Sequence, residues 1–276
     1  MLASASLVVG LSGCSSLFSH LGSSTSSPPP SVGATTVSKE QATTPPNLLQ
    51  PYGPKGSWRL VFSDKFTGST LDSAKWSTCY FWGCTNNGNR ELETYAASQV
   101  KVGGGALTLT AERTRNHGRP YVSGMLSSYG KFSFQYGYAQ FVAKLPEGRG
   151  LWSAFWMLPT SGKWPPEIDA LEDWGDQREV HMFIHPAGVP QQAESLVLPS
   201  FASTFHTYGV DWEPGSISWY VDGVLRARYV GSITNRMYLL ADLAITAGRA
   251  PGSSERFPKS VVIRSIEVWQ HPSKTH

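Results

Sequence analysis

Charged residues and long apolar stretches are both scarce in this chain. Only 16% of its 276 residues are charged, and the formal net charge is +3. A balance this weak, with no basic patch interleaved with aromatic residues, argues against a nucleic-acid partner. The sequence also lacks a sustained amphipathic helical period and a Gly-x-Ser-x-Gly motif. These absences exclude a helical bundle and the nucleophile elbow of α/β-hydrolases.

Cysteine is rare, and the first of the three cysteines lies in an unusual place. Cys14 ends the tetrapeptide Leu11-Ser12-Gly13-Cys14, which resembles a bacterial lipobox, where the cysteine is lipidated after signal cleavage. The apolar run from Leu2 to Leu11 is short for a membrane span, and no positive residue precedes it. We therefore predict a signal and lipobox over residues 1–14 and an exported lipoprotein, anchored in the cell envelope through Cys14. A secreted protein with an ordinary cleaved signal and a chance match are the alternatives.

Charge is nearly absent from the first fifty residues, where only Lys39 and Glu40 carry one. Residues 15–55 are rich in Ser, Thr, Pro and Gly, and such a segment cannot bury enough apolar surface to fold. We predict a disordered tether there and a folded domain over residues 56–272. The remaining cysteines, Cys79 and Cys84, enclose a four-residue loop, and in an oxidising compartment we expect them to form a disulfide.

Short alternating apolar runs, separated by Gly and Pro, dominate the rest of the chain. Examples are Leu107–Ala111, Tyr138–Leu145, Ile217–Val221 and Val261–Trp269. Asp222-Gly223 between two such runs predicts a hairpin turn, because both residues tolerate a positive φ. The pattern predicts an all-β protein built as a sandwich of many strands.

Three carboxylates lie within six residues, at Glu167, Asp169 and Glu172. Glycosidic bond cleavage needs such crowding, because one carboxyl protonates the leaving oxygen while a second attacks the anomeric carbon or activates water. On a strand, strict alternation would turn Glu172 away from the other two. An extra residue at Ala170–Leu171, a β-bulge, would return it to their face. The outer carboxyls would then lie ~5 Å apart, as in a retaining enzyme. A solvated acidic edge is the alternative.

Aromatic residues crowd the same stretch of a chain that has 10 tryptophans. Sugar rings stack on flat aromatic faces, so we predict that Trp152, Trp156, Trp164 and Trp174 bind substrate. On a strand, Trp152 and Trp156 share a face opposite Phe155, so one of these two sets is expected to be buried.

These residues resemble glycoside hydrolase family 16, whose bulged branch carries Glu-x-Asp-x-x-Glu. The resemblance covers about residues 57–270, in the order that the family uses, and the lead-in to the acids is most similar to laminarinases and bacterial exopolysaccharide depolymerases. The matching segments are Trp58-Arg59-Leu60-Val61-Phe62, Leu107-Thr108-Leu109-Thr110-Ala111, Tyr121-Val122-Ser123-Gly124, Gly130-Lys131-Phe132, Lys144-Leu145-Pro146, Gly150–Pro159, Trp164-Pro165-Pro166, Phe205–Trp212, Trp219–Gly223 and Glu267-Val268-Trp269-Gln270.

The resemblance implies a jelly-roll β-sandwich of the concanavalin A-like lectin/glucanase type, with a substrate cleft across its concave sheet. It assigns Glu167 as nucleophile, Asp169 as assisting acid and Glu172 as general acid/base. It implies a retaining, endo-acting glycosidase on a β-1,3- or β-1,3-1,4-glucan or a related exopolysaccharide. The protein would act as a monomer without a cofactor. Transglycosylation is an alternative activity, and a non-catalytic carbohydrate-binding protein is another class, against which the three acids argue.

His181-x-x-x-His185 also matches the laminarinase-like branch, and the spacing puts both imidazoles on one face of a strand. Three interpretations stay open. The two residues are ordinary sheet histidines, or His185 lies at the cleft edge near the acid/base, or both bind zinc with a carboxylate. The family needs no metal for its chemistry.

Several positions depart from the family pattern. Tyr138, Gln140 and Val142 replace a frequent Arg, Glu and Arg, which predicts a changed polar subsite or a changed ion pair, and Asp242 replaces an Asn. At the positions where many relatives bind calcium through acids, this chain has two cations, so we expect no calcium there. These two residues are Lys65 and Arg264.

Overall fold

The computed structural model describes residues 50–175, 178–197 and 204–272. All of them belong to one unit, Ala42–His276. Cys14, the predicted signal over residues 1–14 and residues 15–49 of the predicted tether lie outside the described residues. None of the helices within the described ranges has the length and apolar character needed to span a membrane.

The described chain is built almost entirely from strands, with single-turn 3-10 helices at Ala97–Gln99 and Ala247–Arg249. The strands are β1 (Arg59–Asp64), β2 (Glu93–Tyr95), β3 (Val100–Gly103), β4 (Ala106–Ala111), β5 (Tyr121–Ser123), β6 (Met125–Ser127), β7 (Gly137–Lys144), β8 (Leu151–Pro159), β9 (Glu167–Asp173), β10 (Glu179–His185), β11 (Gln192–Val197), β12 (His206–Glu213), β13 (Ser216–Val221), β14 (Val224–Val230), β15 (Met237–Ile245) and β16 (Lys259–Gln270).

Two antiparallel sheets form a sandwich, which confirms the predicted all-β class. The larger sheet has the order β14-β13-β12-β7-β16-β4-β3, with β1 beside β16. The smaller sheet has the order β11-β10-β9-β8-β15-β6, and β2 pairs with β5 alongside. Neighbours such as β8 and β15 are distant in sequence, so the topology brings a late strand beside β8, which in turn pairs with the strand β9 that carries the acids.

The core lies between the two sheets. Phe141 of β7 stacks on Phe155 of β8 with ring centroids 4.7 Å apart, and this contact joins one sheet to the other. Both rings are fully buried. Truncation of either one to alanine should cost about 3–5 kcal/mol, because the cavity adds to the lost transfer free energy.

Strand β15 is buried along all of its nine residues, because both of its faces are covered. Leu239 and Leu243 point into the main core. Tyr238 and Leu240 point the other way and join a second apolar cluster with Trp156. This second cluster covers part of the smaller sheet's outer face, on the side where the acids project.

The departures on β7 have a structural explanation. The Tyr138 hydroxyl donates to the backbone oxygen of Tyr52 at 3.0 Å, and the Tyr52 N–H donates to Gln140 Oε1 at 3.0 Å. Strand β7 belongs to the larger sheet, so the prediction of a changed polar subsite at these positions is wrong. Tyr138 and Gln140 hold the segment before β1 instead. Residues 50–55, which the sequence assigned to the tether, therefore pack on the domain.

Two local predictions are confirmed. Asp222 and Gly223 have φ angles of 51° and 75°, and they connect β13 to β14 as a hairpin turn. Cys79 and Cys84 form a disulfide with their Cα atoms 4.6 Å apart.

Candidate active site

A one-residue bulge in β9 determines where its acids point. On the neighbouring β8, Trp156 pairs with Asp169 and Phe155 pairs with Leu171, so Ala170 is the extra residue. The bulge lies at the predicted position. Bulges of this kind re-aim side chains beside active sites.

The bulge brings all three acids to one face. Ile168, Ala170 and Leu171 belong to the core between the sheets, whereas Glu167, Asp169 and Glu172 project from the opposite face and interact with one another. Asp169 is almost fully buried, whereas Glu167 and Glu172 are partly exposed. The outer two acids can therefore reach a substrate, and the middle one lies beneath them.

The opposite sheet supports the bulge. Trp219 of β13 donates its indole N–H to the backbone oxygen of Asp169 at 2.8 Å, in a fully buried hydrogen bond. A bulge interrupts the ladder of backbone hydrogen bonds. Leaving a buried carbonyl without a partner costs about 1–3 kcal/mol. Trp219 thus stabilises the bulge across the sandwich.

Glu172 has the properties of a general acid. The Trp152 indole N–H donates to its Oε1 at 3.0 Å. Burial, followed by the charge of Glu167, raises the pKa of Glu172 to about 8, against the opposing effect of the Trp152 N–H. A carboxyl with this pKa is protonated at neutral pH and can give its proton to a leaving oxygen.

Glu167 and Asp169 share a hydrogen bond between their side chains. Burial and this close pairing raise the pKa of Glu167, and burial with the charge of Glu172 raises the pKa of Asp169. Trp164 Nε1 donates to Glu167 Oε2 at 2.8 Å, and His185 Nε2 lies 3.6 Å from its Oε1. These two contacts lower the pKa of Glu167, whereas its hydrogen bond with Asp169 raises it and lowers the pKa of Asp169, so the two carboxyls share a proton.

A groove of about 420 Å³ opens beside Glu167, and five of its thirteen lining residues are aromatic. The disulfide loop contributes Phe81 and Trp82, each 45% exposed, and Trp164 is 63% exposed on the other side. Sequence reasoning did not assign Phe81 and Trp82 to the site. The groove is lined by Phe81, Trp82, Asn86, Gly88, Asn89, Trp156, Leu158, Pro159, Gly162, Lys163, Trp164, Glu167 and Tyr238.

Comparison with known proteins agrees with this geometry. The family description "Glycosyl hydrolases family 16" matches residues 87–258, more than half of the chain. The chain belongs to glycoside hydrolase family 16.

Relatives of known name support the same assignment. An endo-1,3-1,4-beta-glycanase, EglC, of Rhizobium meliloti is 35% identical over 218 residues, which cover 69% of this chain and 47% of that protein. The chain thus spans about half the length of this relative. A beta-glucanase of Rhodothermus marinus is 32% identical over 246 residues, covering 77% of this chain and 85% of the relative.

A solved structure confirms the jelly-roll fold. The catalytic domain of an endo-1,3-beta-glucanase (laminarinase) from Thermotoga petrophila RKU-1 superposes with a TM-score of 0.73 at 27% identity. The match covers 79% of this chain and 99% of that domain.

The family 16 site also contains a second group of acids that sequence reasoning missed. Asp242 Oδ1 accepts from Trp156 Nε1 at 2.6 Å, and its Oδ2 lies 3.3 Å from the Tyr95 hydroxyl. The same hydroxyl lies 3.3 Å from Glu91 Oε2. Glu93 Oε2, fully buried, accepts the backbone N–H of Ile245 on β15. Glu91-Leu92-Glu93 repeats the spacing of Glu167 and Asp169, and that signal could have pointed to this group.

Asp242 links the second group to Glu172. Ala154 of β8 pairs with Glu172 on one side and with Asp242 on the other, so the two acids lie in one row across the sheet. Burial raises the pKa of Asp242 to about 7, although the Trp156 N–H stabilises its charge. The charge of Asp242 in turn raises the pKa of Glu172, and small Ala154 separates the two.

The predicted aromatic residues of the family 16 site take different positions. Trp152 and Trp164 bind the outer acids directly, and Trp156 is buried against Tyr80 while it also lines the groove. Trp174 stacks on His181 with centroids 4.0 Å apart. Phe155 lies in the core, which confirms that it faces away from Trp152 and Trp156.

The structure corrects the placement of the two histidines. His185 pairs across the strands with Glu167, and His181 pairs with Glu172. His185 is therefore next to the predicted nucleophile rather than the acid/base. The described residues form a cluster that could hold a metal only at Glu167, Asp169 and His185, so a zinc site with both histidines is not supported.

The two cations at the family's calcium positions have other contacts. Lys65 Nζ lies 3.9 Å from Glu267 Oε1, and the Arg264 guanidinium lies 3.7 Å from the centroid of the Phe205 ring. The absence of calcium from this place stays a prediction.

Proposed function

We propose that this protein is a retaining, endo-acting glycoside hydrolase. It cleaves internal bonds of β-1,3- or β-1,3-1,4-glucan, or of a related exopolysaccharide. The observation that carries the proposal is the bulge at Ala170, which puts Glu167 and Glu172 on one face, where the raised pKa of Glu172 keeps that carboxyl protonated at neutral pH. The groove beside Glu167 supports internal cleavage, because a chain can extend along its aromatic walls.

Glu172, Glu167 and Asp169 each have a different role in the proposed reaction. Glu172 gives its proton to the glycosidic oxygen while the Glu167 carboxylate attacks the anomeric carbon, so the leaving chain departs and a glycosyl–enzyme ester forms. Glu172, now ionised, takes a proton from water, and the water attacks the same carbon. The ester breaks, Glu167 is released as a carboxylate, and the product keeps the β configuration. Asp169 holds its proton beside Glu167 throughout.

The names of the relatives support the glucan as substrate, since they include a beta-glucanase and an endo-1,3-1,4-beta-glycanase. Transglycosylation would use the same ester with a sugar instead of water. A purely carbohydrate-binding role is disfavoured, because such a role needs neither a protonated Glu172 nor a charge-stabilised Glu167.

We also propose that the protein is exported and anchored by a lipid on Cys14, and that it acts as a monomer. The lipobox-like Leu11-Ser12-Gly13-Cys14 supports the anchor. The Cys79–Cys84 disulfide is consistent with an oxidising compartment. Expression in a bacterium should give a detergent-soluble form with lipid mass on Cys14, which Cys14→Ala abolishes. A mature N-terminus elsewhere, with no lipid mass on Cys14, would contradict the anchor.

A panel of β-glucans and exopolysaccharides, assayed for new reducing ends, tests the activity. Proton NMR early in turnover tests the mechanism, because a retaining enzyme first releases the β-anomer. Glu167→Gln and Glu172→Gln serve as inactive controls. First release of the α-anomer would contradict retention, and no cleavage of any member of the panel would contradict the proposed hydrolysis.

A further inference from the structure

We propose that Glu167, Asp169 and His185 form a binding site for a zinc-class divalent ion, and that the ion inhibits the enzyme by occupying the nucleophile. Each residue offers one ligand atom, and these atoms all lie within 4.8 Å of one another. The inhibition rests on the proposed function, whereas the binding of the ion does not.

The distances suit a metal better than a hydrogen bond. His185 Nε2 lies 3.6 Å from Glu167 Oε1 and 3.5 Å from Asp169 Oδ2, beyond hydrogen-bond range for both. A tetrahedral zinc ion holds nitrogen and oxygen ligands at about 2.0–2.2 Å, which separates the ligand atoms by about 3.3–3.6 Å. These two separations match edges of such a tetrahedron, and the third pair of ligand atoms lies within 4.8 Å.

The charge of the site also favours a bound divalent ion. Asp169 is 1% exposed, and its Oδ2 has no hydrogen-bond partner although it points at His185. A buried polar atom of this kind calls for a counterpart. A divalent ion would balance both carboxylates at once, and its binding would release the proton that Glu167 and Asp169 share.

The ligand set selects the class of ion. An imidazole with two carboxylates suits zinc and its neighbours, whereas calcium takes six to eight oxygens and magnesium prefers an octahedral oxygen shell. Three protein ligands leave a fourth position, and because Glu167 lines the groove, that position faces the substrate. A bound ion would therefore compete with the sugar for the Glu167 carboxylate.

Calorimetric titration of the metal-stripped protein with zinc chloride tests the binding. We expect one zinc ion per chain, and we expect His185→Ala to weaken the affinity at least about tenfold. His181→Gln is the matched control, because His181 lies on the same strand but outside the cluster, and it should retain zinc. Thermal unfolding of each variant shows whether it is folded. Zinc affinity unchanged in folded His185→Ala, or lost equally in folded His181→Gln, would overturn the site.

Kinetics test the inhibition separately. Zinc should raise KM for a cleaved glucan and leave kcat unchanged, and calcium at equal concentration should do neither. Zinc that binds through His185 without slowing a measurable hydrolysis would overturn the inhibitory role. If no glucan is cleaved at all, the proposed function fails while the calorimetric test of the metal site still stands.

Discussion

Two groups of carboxyls, linked through Asp242 and Glu172 on the smaller sheet, differ in what can reach them. In the first group Glu167 and Glu172 are partly exposed, and Glu167 lines the groove. In the buried group, Glu91, Glu93 and Asp242 are 3%, 0% and 3% exposed. Both groups have raised pKa values, chiefly because of burial. A shifted pKa therefore marks both groups, and access to the groove distinguishes the one that can do chemistry.

The two groups also differ in the side chains that contact their carboxyls. Indole N–H groups of Trp152 and Trp164 stabilise negative charge on the outer catalytic acids. The buried group has the hydroxyl of Tyr95 between Glu91 and Asp242, which favours protons shared among neighbours. The first arrangement prepares acids to change charge during turnover, whereas in the second Glu91, with its pKa raised to about 11, stays protonated.

The largest expected difference between the groups is in activity. Glu167→Gln and Glu172→Gln should each lower kcat by at least about 10³-fold, because each removes a reacting carboxyl. Glu93→Gln keeps the shape and the acceptor for Ile245, and it should lower kcat by less than about tenfold. Steady-state kinetics on a cleaved glucan measure this, with unfolding curves as the check on folding. An equal loss of kcat in Glu93→Gln would contradict the proposed difference between the two groups.

The middle catalytic acid should have a smaller effect. Asp169→Asn removes the proton that the pair shares but leaves both reacting glutamates in place, so we expect a loss of about 10²-fold in kcat. The measurement is kcat over a range of pH, beside Glu167→Gln. A loss as large as that of the nucleophile variant would show that Asp169 does more than hold a proton.

For stability at alkaline pH, in contrast to activity, the buried group should have the larger effect. Burial and the charge of Glu93 raise the pKa of Glu91 from 4.5 to about 11. The native state then keeps a proton that the unfolded chain releases, so stability is full below pH 4.5 and falls as the pH rises toward 11. One such proton changes the free energy of unfolding by about 1.4 kcal/mol per pH unit.

Glu91→Gln should therefore flatten the dependence of the free energy of unfolding on pH. At pH about 8 the variant should be more stable than the parent, by on the order of a few kcal/mol. Denaturant unfolding at two pH values measures it. A variant whose stability falls as steeply as that of the parent would mean that Glu91 does not hold the proton.

The Asp242→Asn variant tests whether the buried group affects the pKa of Glu172. Its charge raises the pKa of Glu172, so Asp242→Asn should lower that pKa. The basic limb of the kcat/KM profile would then move to lower pH, because the general acid loses its proton sooner. An unmoved basic limb in a folded variant would indicate that the two groups act independently.

The smallest expected effect concerns calcium, which neither group is expected to need. With Lys65 and Arg264 at the family's calcium positions, the melting temperature should not change in EDTA. A drop of several degrees that calcium restores would reveal a site.

Much of the site could be predicted because its signals are local. The bulge follows from the spacing of Glu167, Asp169 and Glu172, since only an extra residue puts all three on one face. The Asp222-Gly223 turn and the Cys79–Cys84 bridge join residues that are close in sequence. The family match rests on segments read in order along the chain.

What the sequence left open depends on which strands become neighbours. Because β10 runs antiparallel to β9, the later histidine meets the earlier acid, and His185 pairs with Glu167. The buried group joins Glu91 to Asp242, about 150 residues apart, through the Tyr95 hydroxyl and through the backbone bridge between Glu91 and Thr246 next to β15. Local periodicity determined the faces of individual strands. Register and sheet order, set by the packing of the whole sandwich, decided which side chains met.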